Sequence, residues 1–461
     1  MNRKTARRRR GAPPFVRGLA DSRVGPAVSA LVAGQLIRLL SGVVFWGIAT
    51  RTFPASSVGI AAAAVAAMIV CTQLALVGAG SSVIRLYPQA AGGAGQLLAA
   101  AFKVVLIASL IVSIAFVLLS AFALEGLSPI GRDPIFAAAF IAACVLGAWD
   151  SLASEASVAI ARPFQIVIRA FGLSAVMLAF IGTWALLSLP TRSNVIFSSW
   201  AAGEFAACAL LAWQLGVRRP GRAARTIAGA KVRTVARRAI SNHALTLADR
   251  IPPLLMTLVI TEMLSPELSA YWYAVWMAAV TVFWIPIFSG TALFADIVRE
   301  QVVEAARIRA NGVRTFGVAA LAALTIALLA PQLLGFLGPE YAAHGERPLR
   351  VLVAAVMAVT ILQTYFAVCR ATDRLLEATG TAVAVGIAAV SLGTWLGREY
   401  ALTGIAAAWL GSQSVGAGWA LWRLGRLTQL PPRPPVGVAA EAIHRAGEAG
   451  AGFTGKTQAE T

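Results

Sequence analysis

The sequence predicts an all-α integral membrane protein whose twelve transmembrane helices form two six-helix bundles related by a pseudo-two-fold axis along the membrane normal. Three observations predict it. First, 58% of the 461 residues are hydrophobic and only 13% are charged. Apolar runs of about 20 residues, the length of helix that crosses a bilayer, recur from Ala27 to Leu424. Second, with the amino terminus inside, the great majority of the 39 Lys and Arg fall in the tails and the even-numbered connections. That bias places both termini in the cytoplasm and requires an even number of spans. Third, one long basic connection, RRPGRAARTIAGAKVRTVARR, divides the chain into two sets of six. Because six is even, both halves enter the membrane in the same direction, which permits a parallel repeat.

Taken in order, the chain opens on a basic tail, residues 1–26. It has a twin-arginine look, but the segment after it is of full transmembrane length and lacks a small-residue cleavage site, so an uncleaved cytoplasmic tail is expected. The first bundle, residues 27–217, holds spans at 27–50, 58–82, 97–124, 134–160, 166–189 and 194–217. The basic linker, 218–238, anchors to anionic lipid as a positive-inside signal. The second bundle, 239–424, holds spans at 239–261, 269–294, 313–334, 349–369, 378–397 and 400–424. The tail 425–461 is rich in Pro, Gly and Ala without apolar periodicity and is expected to be disordered.

An ungapped shift of 212 residues pairs Ser29 with Ser241, Arg38 with Arg250, Pro54 with Pro266, Ser57 with Ser269, and Arg162 with Arg374. The net charge of +19 would suggest nucleic acid in a soluble chain. Here the basic residues lie between and outside the spans, where they set topology, so no nucleic-acid partner is expected. Cys71, Cys144, Cys208 and Cys369 fall inside spans with no metal-ligand spacing, and His243, His344 and His444 are scattered singly. No disulfide, metal or cofactor is expected.

Several local patterns resemble one family. The first two spans read GQLIRLLSGVVFWGIATRTFPASSVGIAAAAVAAMIV, a polar-interrupted helix, a short turn with a Gly and a second helix. Span seven begins SNHALTLADRIPPLLMTLVI and leads to LSPELSAYWYAVWM; LLGFLGPEYAAHGERPLRVL follows span nine, and EYALTGIAAAWL opens the last span. In this order they resemble the polysaccharide-exporter branch of the multidrug/oligosaccharidyl-lipid/polysaccharide exporter superfamily, whose best-known members are the Wzx-type O-antigen flippases. The resemblance covers nearly all of residues 27–424. It implies a flippase with two bundles around a central cavity, moving a polyprenyl-diphosphate-linked oligosaccharide across the bacterial inner membrane for surface polysaccharide synthesis. It also implies glycan polymerase and glycosyltransferase partners.

The candidate site residues are the charges inside spans. A guanidinium at mid-membrane costs about 2.5 kcal/mol or more on insertion scales and stays protonated, so Arg38 and Arg250 each need a reason. Gly34, Arg38, Ser41 and Gly42 share one helix face with Gln35 at its edge, as a cavity lining or a close helix contact requires. Asp249 and Arg250 are adjacent, about 100° apart around the axis, so one faces the cavity while the other pairs between helices. Pro252 and Pro253 after them bend or break the helix. Arg38, Arg250, Gln35 and Asp249 are therefore the expected substrate contacts. Asp150, Glu155 and Glu204 either balance those cations or take up protons. Asp150, Ser154 and Ser157 form one stripe, and Glu155 points elsewhere. The aromatic run Tyr271, Trp272, Tyr273 and Trp276 is expected at the lipid interface, where such belts form.

An anionic lipid-linked oligosaccharide moved by alternating access, with no bond made or broken, is the expected function. The nearest alternative is a multidrug and toxin extrusion antiporter, which shares the architecture but is expected to line its cavity with carboxylates. A membrane glycosyltransferase or polymerase is less expected, because the outward connections are too short for a catalytic domain.

Overall fold

A computed structural model describes residues 25–90, 93–187, 192–216, 229–300 and 302–427. The predicted basic tail to residue 24, the linker from 217 to 228 and the tail from 428 lie outside them. Among the described residues the first bundle comprises α1 (Gly25–Thr52), α2 (Ala55–Leu76), the short α3 (Ala79–Leu86), α4 (Ala94–Phe122), the single turn α5 (Ser128–Arg132), α6 (Pro134–Ala159), α7 (Phe164–Leu186) and α8 (Ser193–Gly216). The second comprises α9 (Gly229–Met263), α10 (Pro266–Glu300), α11 (Ala305–Leu328), the short α12 (Ala330–Gly335), α13 (Pro339–Ala354), α14 (Val356–Ala371) and α15 (Leu375–Leu427).

Ten of these helices are each long and apolar enough to cross a membrane. The pair α13 and α14, bent by 40° where they meet, makes an eleventh span. The 53 residues of α15 would run about 80 Å as one helix, far beyond a bilayer. They break at Tyr400 and Ala401, whose backbone angles leave the helical region. Gly393 and Gly397 of the first arm then lie against Ile405 of the second, so α15 is an antiparallel hairpin of two spans. Among the described residues this makes twelve spans, consistent with the number the sequence predicts.

Two expectations are corrected. Residues 229–238 are the first turns of α9 rather than linker. The same helix continues unbroken through Pro252 and Pro253.

The repeat has a backbone signature. Ala161 and Asp373, 212 positions apart, both adopt left-handed geometry, with φ of 57° and 58°. In each case the following N–H closes the helix end, Arg162 onto the Ser157 carbonyl and Arg374 onto the Cys369 carbonyl, both at 2.8 Å. This 6→1 closure is the Schellman ending of a helix. One geometry at equivalent places in both bundles is what a structural repeat requires.

The two bundles meet through α2, a helix with an alanine-rich middle, which packs on both α9 and α10. Small side chains let backbones approach closely in a membrane. The face on which α1 begins is called proximal below and the opposite face distal. In the distal half one apolar cluster runs through both bundles, from Phe45 and Phe140 to Trp272 and Trp409. In the proximal half each bundle has its own cluster, around Leu152 in the first and Tyr365 in the second. The bundles are thus fused distally and divided proximally, apart from a seam where Gly78 (φ 74°) brings the start of α3 against the backbone of Ala239.

Three clasps hold the distal side. A β-carbon on Gly59 would lie 1.7 Å from the Pro266 carbonyl oxygen, so only glycine permits this contact of α2 with α10. The Glu262 carboxylate of α9 accepts the N–H groups of Glu125 (2.7 Å) and Gly126 (3.0 Å) before α5. Arg51 of α1 donates to the Phe336 carbonyl from Nε (3.1 Å) and Nη2 (2.7 Å). Substituting Gly59→Leu is expected to part the distal ends, lengthening the distance between spin labels at Ala55 and Glu267. An unchanged distance would show that Gly59 does not govern the closure.

Tyr271, Trp272, Tyr273 and Trp276 do not form the expected lipid-interface belt. All four are buried in the distal core, Trp272 completely. Trp46 packs on Tyr273 and Trp276 on Trp409, with ring centroids 4.8 and 5.3 Å apart, as aromatic pairs favour. The Trp46–Tyr273 contact joins the two bundles, and the Trp276–Trp409 contact packs the second bundle internally.

Candidate functional site

The polar centre of the first bundle begins with the approach of α1 to α7. A β-carbon on Gly34 would lie 3.0 Å from Ile166, and the Ser41 and Ser174 hydroxyls hydrogen-bond at 2.8 Å. This contact carries Arg38 inward, and its guanidinium pairs with one oxygen of Asp150 on α6. The other Asp150 oxygen accepts Nε of Arg169 on α7 at 2.8 Å. Arg169 is fully buried and also donates to Gln214 (2.8 Å), Ser154 (3.2 Å) and Ser157 (3.3 Å). The Asp150–Ser154–Ser157 stripe therefore exists to receive Arg169.

One carboxylate thus serves two guanidiniums that differ in kind. The Arg169 side chain is 0% exposed and held by four side chains; that of Arg38 is 29% exposed, with Asp150 as its hydrogen-bond partner among the described residues. Arg169 is the permanent counter-ion of Asp150, and Arg38 shares that carboxylate from a more exposed position. Gln35 lies one turn before Arg38 and is partly exposed. Glu204 of α8 is buried beside Thr72 and Gly147, and its Oε2 has no hydrogen-bond partner. The Arg38 charge acts on Glu204 as well as on Asp150.

In the second bundle Asp249 and Arg250 part company as their helical offset requires. Asp249 turns to α14, where both of its oxygens accept from the Gln363 amide at 3.1 and 3.0 Å. Arg250 is exposed, with the Trp284 ring 6.0 Å from its guanidinium carbon. Arg370 of α14 stands in the field of both. Glu155 turns away from the Asp150 stripe, lies against Gly80 of α3 and faces Arg250 across the seam between bundles. His243 also bridges that seam, with Nε2 2.8 Å from the Gln73 carbonyl.

Two residues of the centre escape a reading of the sequence. Arg169 and Arg370 lie near the proximal ends of their spans, where a basic residue reads as a topology signal. For Arg169 a signal exists, the polar stripe on α6 that its guanidinium fills. For Arg370 no comparable mark is present.

Beside this centre, between α1 and α10, is an apolar cavity of about 400 Å³ lined by Val43, Trp46, Met277, Phe336 and Tyr341 among others. Met277 also approaches Gly42, one turn beyond Arg38. A cationic centre and an apolar cavity therefore adjoin along α1.

No family model matches the chain. No curated protein matches it either. Solved structures do. An inward-facing multidrug-resistance transporter of the MATE family, in the MOP superfamily, superimposes with a TM-score of 0.68 at 12% identity over 87% of this chain and 99% of that one. The chain has the MATE transporter fold. An outward-facing MATE transporter gives 0.59 at 13% identity, covering 91% of this chain and 100% of that chain. A MOP-superfamily transporter from Pyrococcus furiosus, described as having a binding pocket of reversed polarity that suggests a different function, gives 0.61 at 12% identity, covering 91% of this chain and 100% of that chain. The MATE fold accounts for the two bundles.

Proposed function

We propose that this protein is an alternating-access flippase for an anionic, polyprenyl-diphosphate-linked oligosaccharide, carrying it from the cytoplasmic to the outer leaflet of a bacterial inner membrane. The observation that carries the reading is the partly exposed guanidinium of Arg38, which shares Asp150 with the buried Arg169: a phosphate can draw Arg38 away without leaving that acid unpaired. The exposed Arg250 supplies a second cation from the second bundle. The apolar cavity beside Gly42 suits the isoprenoid chain of such a cargo, which need not leave hydrocarbon while its headgroup crosses.

In this reading the proximal face is cytoplasmic, and both tails and the basic linker lie there. Cargo enters from the proximal side, the clasps at Gly59, Glu262 and Arg51 release, and the bundles rock to open distally. Glycosyltransferases supply the lipid-linked glycan and a polymerase consumes it. The protein itself makes no bond.

A second reading is a MATE-type cation antiporter, favoured by the multidrug transporters among its fold relatives and by the unpartnered carboxylate oxygen of Glu204. Deleting the gene separates the two. The flippase reading expects loss of surface glycan, build-up of its lipid-linked precursor and unchanged accumulation of cationic dyes. Raised dye accumulation with normal surface glycan would establish the antiporter instead.

A further inference from the structure

We propose that the second bundle contains a phosphate site of its own, formed by Arg250 of α9 and Arg370 of α14, which binds a phosphate or diphosphate group independently of Arg38. The proposal rests on the flippase reading and deepens it by dividing anion recognition between two separate sites.

A pocket of about 230 Å³ opens between α9, α10 and α14, lined by Asn242, Thr246, Asp249, Arg250, Gln363 and Arg370 with three further residues. Among the described residues lining it, Asp249 is the one carboxylate. Both Asp249 oxygens are engaged by the Gln363 amide, which holds the acid to one side. Two guanidiniums therefore share the pocket with one acid, and their mutual repulsion falls when an anion lies between them.

Arg370 gives the sharper indication. Its Nε–H is buried and has no hydrogen-bond acceptor among the described residues. A buried donor left unmade is costly, and buried polar groups in folded proteins are paired with few exceptions. An oxyanion in the pocket supplies the acceptor. Arg250 lacks a carboxylate within 4 Å among the described residues and is exposed, so its planar fork is available to the same anion. Asn242 and Thr246 add neutral groups able to donate to phosphate oxygens. Glu155, on the opposite bundle, is the other acid in the field of Arg250. It belongs to the first bundle, whereas the pocket is lined by residues of the second.

The site differs in kind from that of Arg38. There a cation rests on a carboxylate that the cargo displaces; here two cations and an orphaned donor surround a space. A diphosphate held in this pocket stays with the second bundle, while Arg38 contacts the cargo from the first.

Calorimetric titration of the purified full-length protein in detergent with inorganic pyrophosphate tests this. Wild type is expected to bind, Arg370→Gln and Arg250→Gln to bind at least tenfold more weakly, and Arg370→Lys to fall between. Thermal unfolding of each variant reports its folding, and Arg370→Lys keeps the charge where Arg370→Gln is poorly folded. No binding by wild type, or unchanged binding in folded Arg370 variants, would overturn the proposal. Failure of the flippase reading is distinguishable: pyrophosphate binding that depends on Arg370, in a protein that moves no lipid-linked glycan, keeps the site and removes the reading. Normal glycan flipping with pyrophosphate binding indifferent to Arg370 does the reverse.

Discussion

Substituting Asp150→Ala is expected to destabilise the first bundle by about 3 to 5 kcal/mol, the cost of leaving a buried charge without its partner. Membranes should then hold little folded protein. Arg169 is 0% exposed and has Asp150 as its acid, so it cannot reach water when that acid is removed. The three neutral acceptors around it, Ser154, Ser157 and Gln214, hydrogen-bond the guanidinium but carry no charge to offset it. Arg169→Met should be damaging for the converse reason, although less so, because Arg38 remains on Asp150. The double variant Asp150→Leu with Arg169→Met should be more stable than Asp150→Ala, since replacing a buried pair by apolar side chains is often neutral. Thermal unfolding in detergent and membrane abundance measure all three. A stable Asp150→Ala protein would mean that the cluster is not the electrostatic keystone of the first bundle.

Substituting Arg38→Ala is expected to have the opposite profile: a folded, correctly inserted protein with little transport. Arg169 still neutralises Asp150 in this variant, and the removed guanidinium was partly exposed, so stability changes little. Hydrogen bonds to charged groups contribute about 1.5 to 3 kcal/mol, equivalent to roughly ten- to hundred-fold in apparent affinity for an anionic cargo. Flipping measured below saturation should fall by that factor. Arg38→Lys should recover part of it, because an ammonium keeps the charge but not the fork that fits phosphate. The contrast between two arginines on one carboxylate, one needed for folding and the other for transport, is the most specific consequence of the geometry.

Much of the architecture is legible in the sequence because a bilayer imposes a length and a sign rule on every span. Apolar runs and the bias of Lys and Arg lead to twelve spans, and the 212-residue shift anticipates the matched turns at Ala161 and Asp373. The helical offset of Asp249 from Arg250 tells only that the two side chains point in different directions; Asp249 meets Gln363 and Arg250 is exposed. Burial near span ends is not legible. Arg169 lies on the second turn of α7, where a lipid-facing arginine would reach the headgroups. It is buried because α6 and α8 pack over it, and only the tertiary structure carries that information. The aromatic run of α10 fails for a related reason: a belt and an interface between bundles have the same composition, and they differ in whether a second bundle lies opposite. The broken α15 and the orphaned donor of Arg370 also appear only when the backbone is folded.

The central claim is that solvent-accessible guanidiniums in the two bundles, Arg38 and Arg250, hold the anionic headgroup of a lipid-linked glycan during its passage. Its most direct test is reconstitution of the purified protein into vesicles carrying an isoprenyl-diphosphate-linked oligosaccharide, with leaflet exposure read by an impermeant lectin. Wild type is predicted to move the glycan between leaflets, Arg38→Ala and Arg250→Ala to slow it at least tenfold, and the double variant to abolish it. Movement at the wild-type rate by a folded, reconstituted double variant would contradict the account.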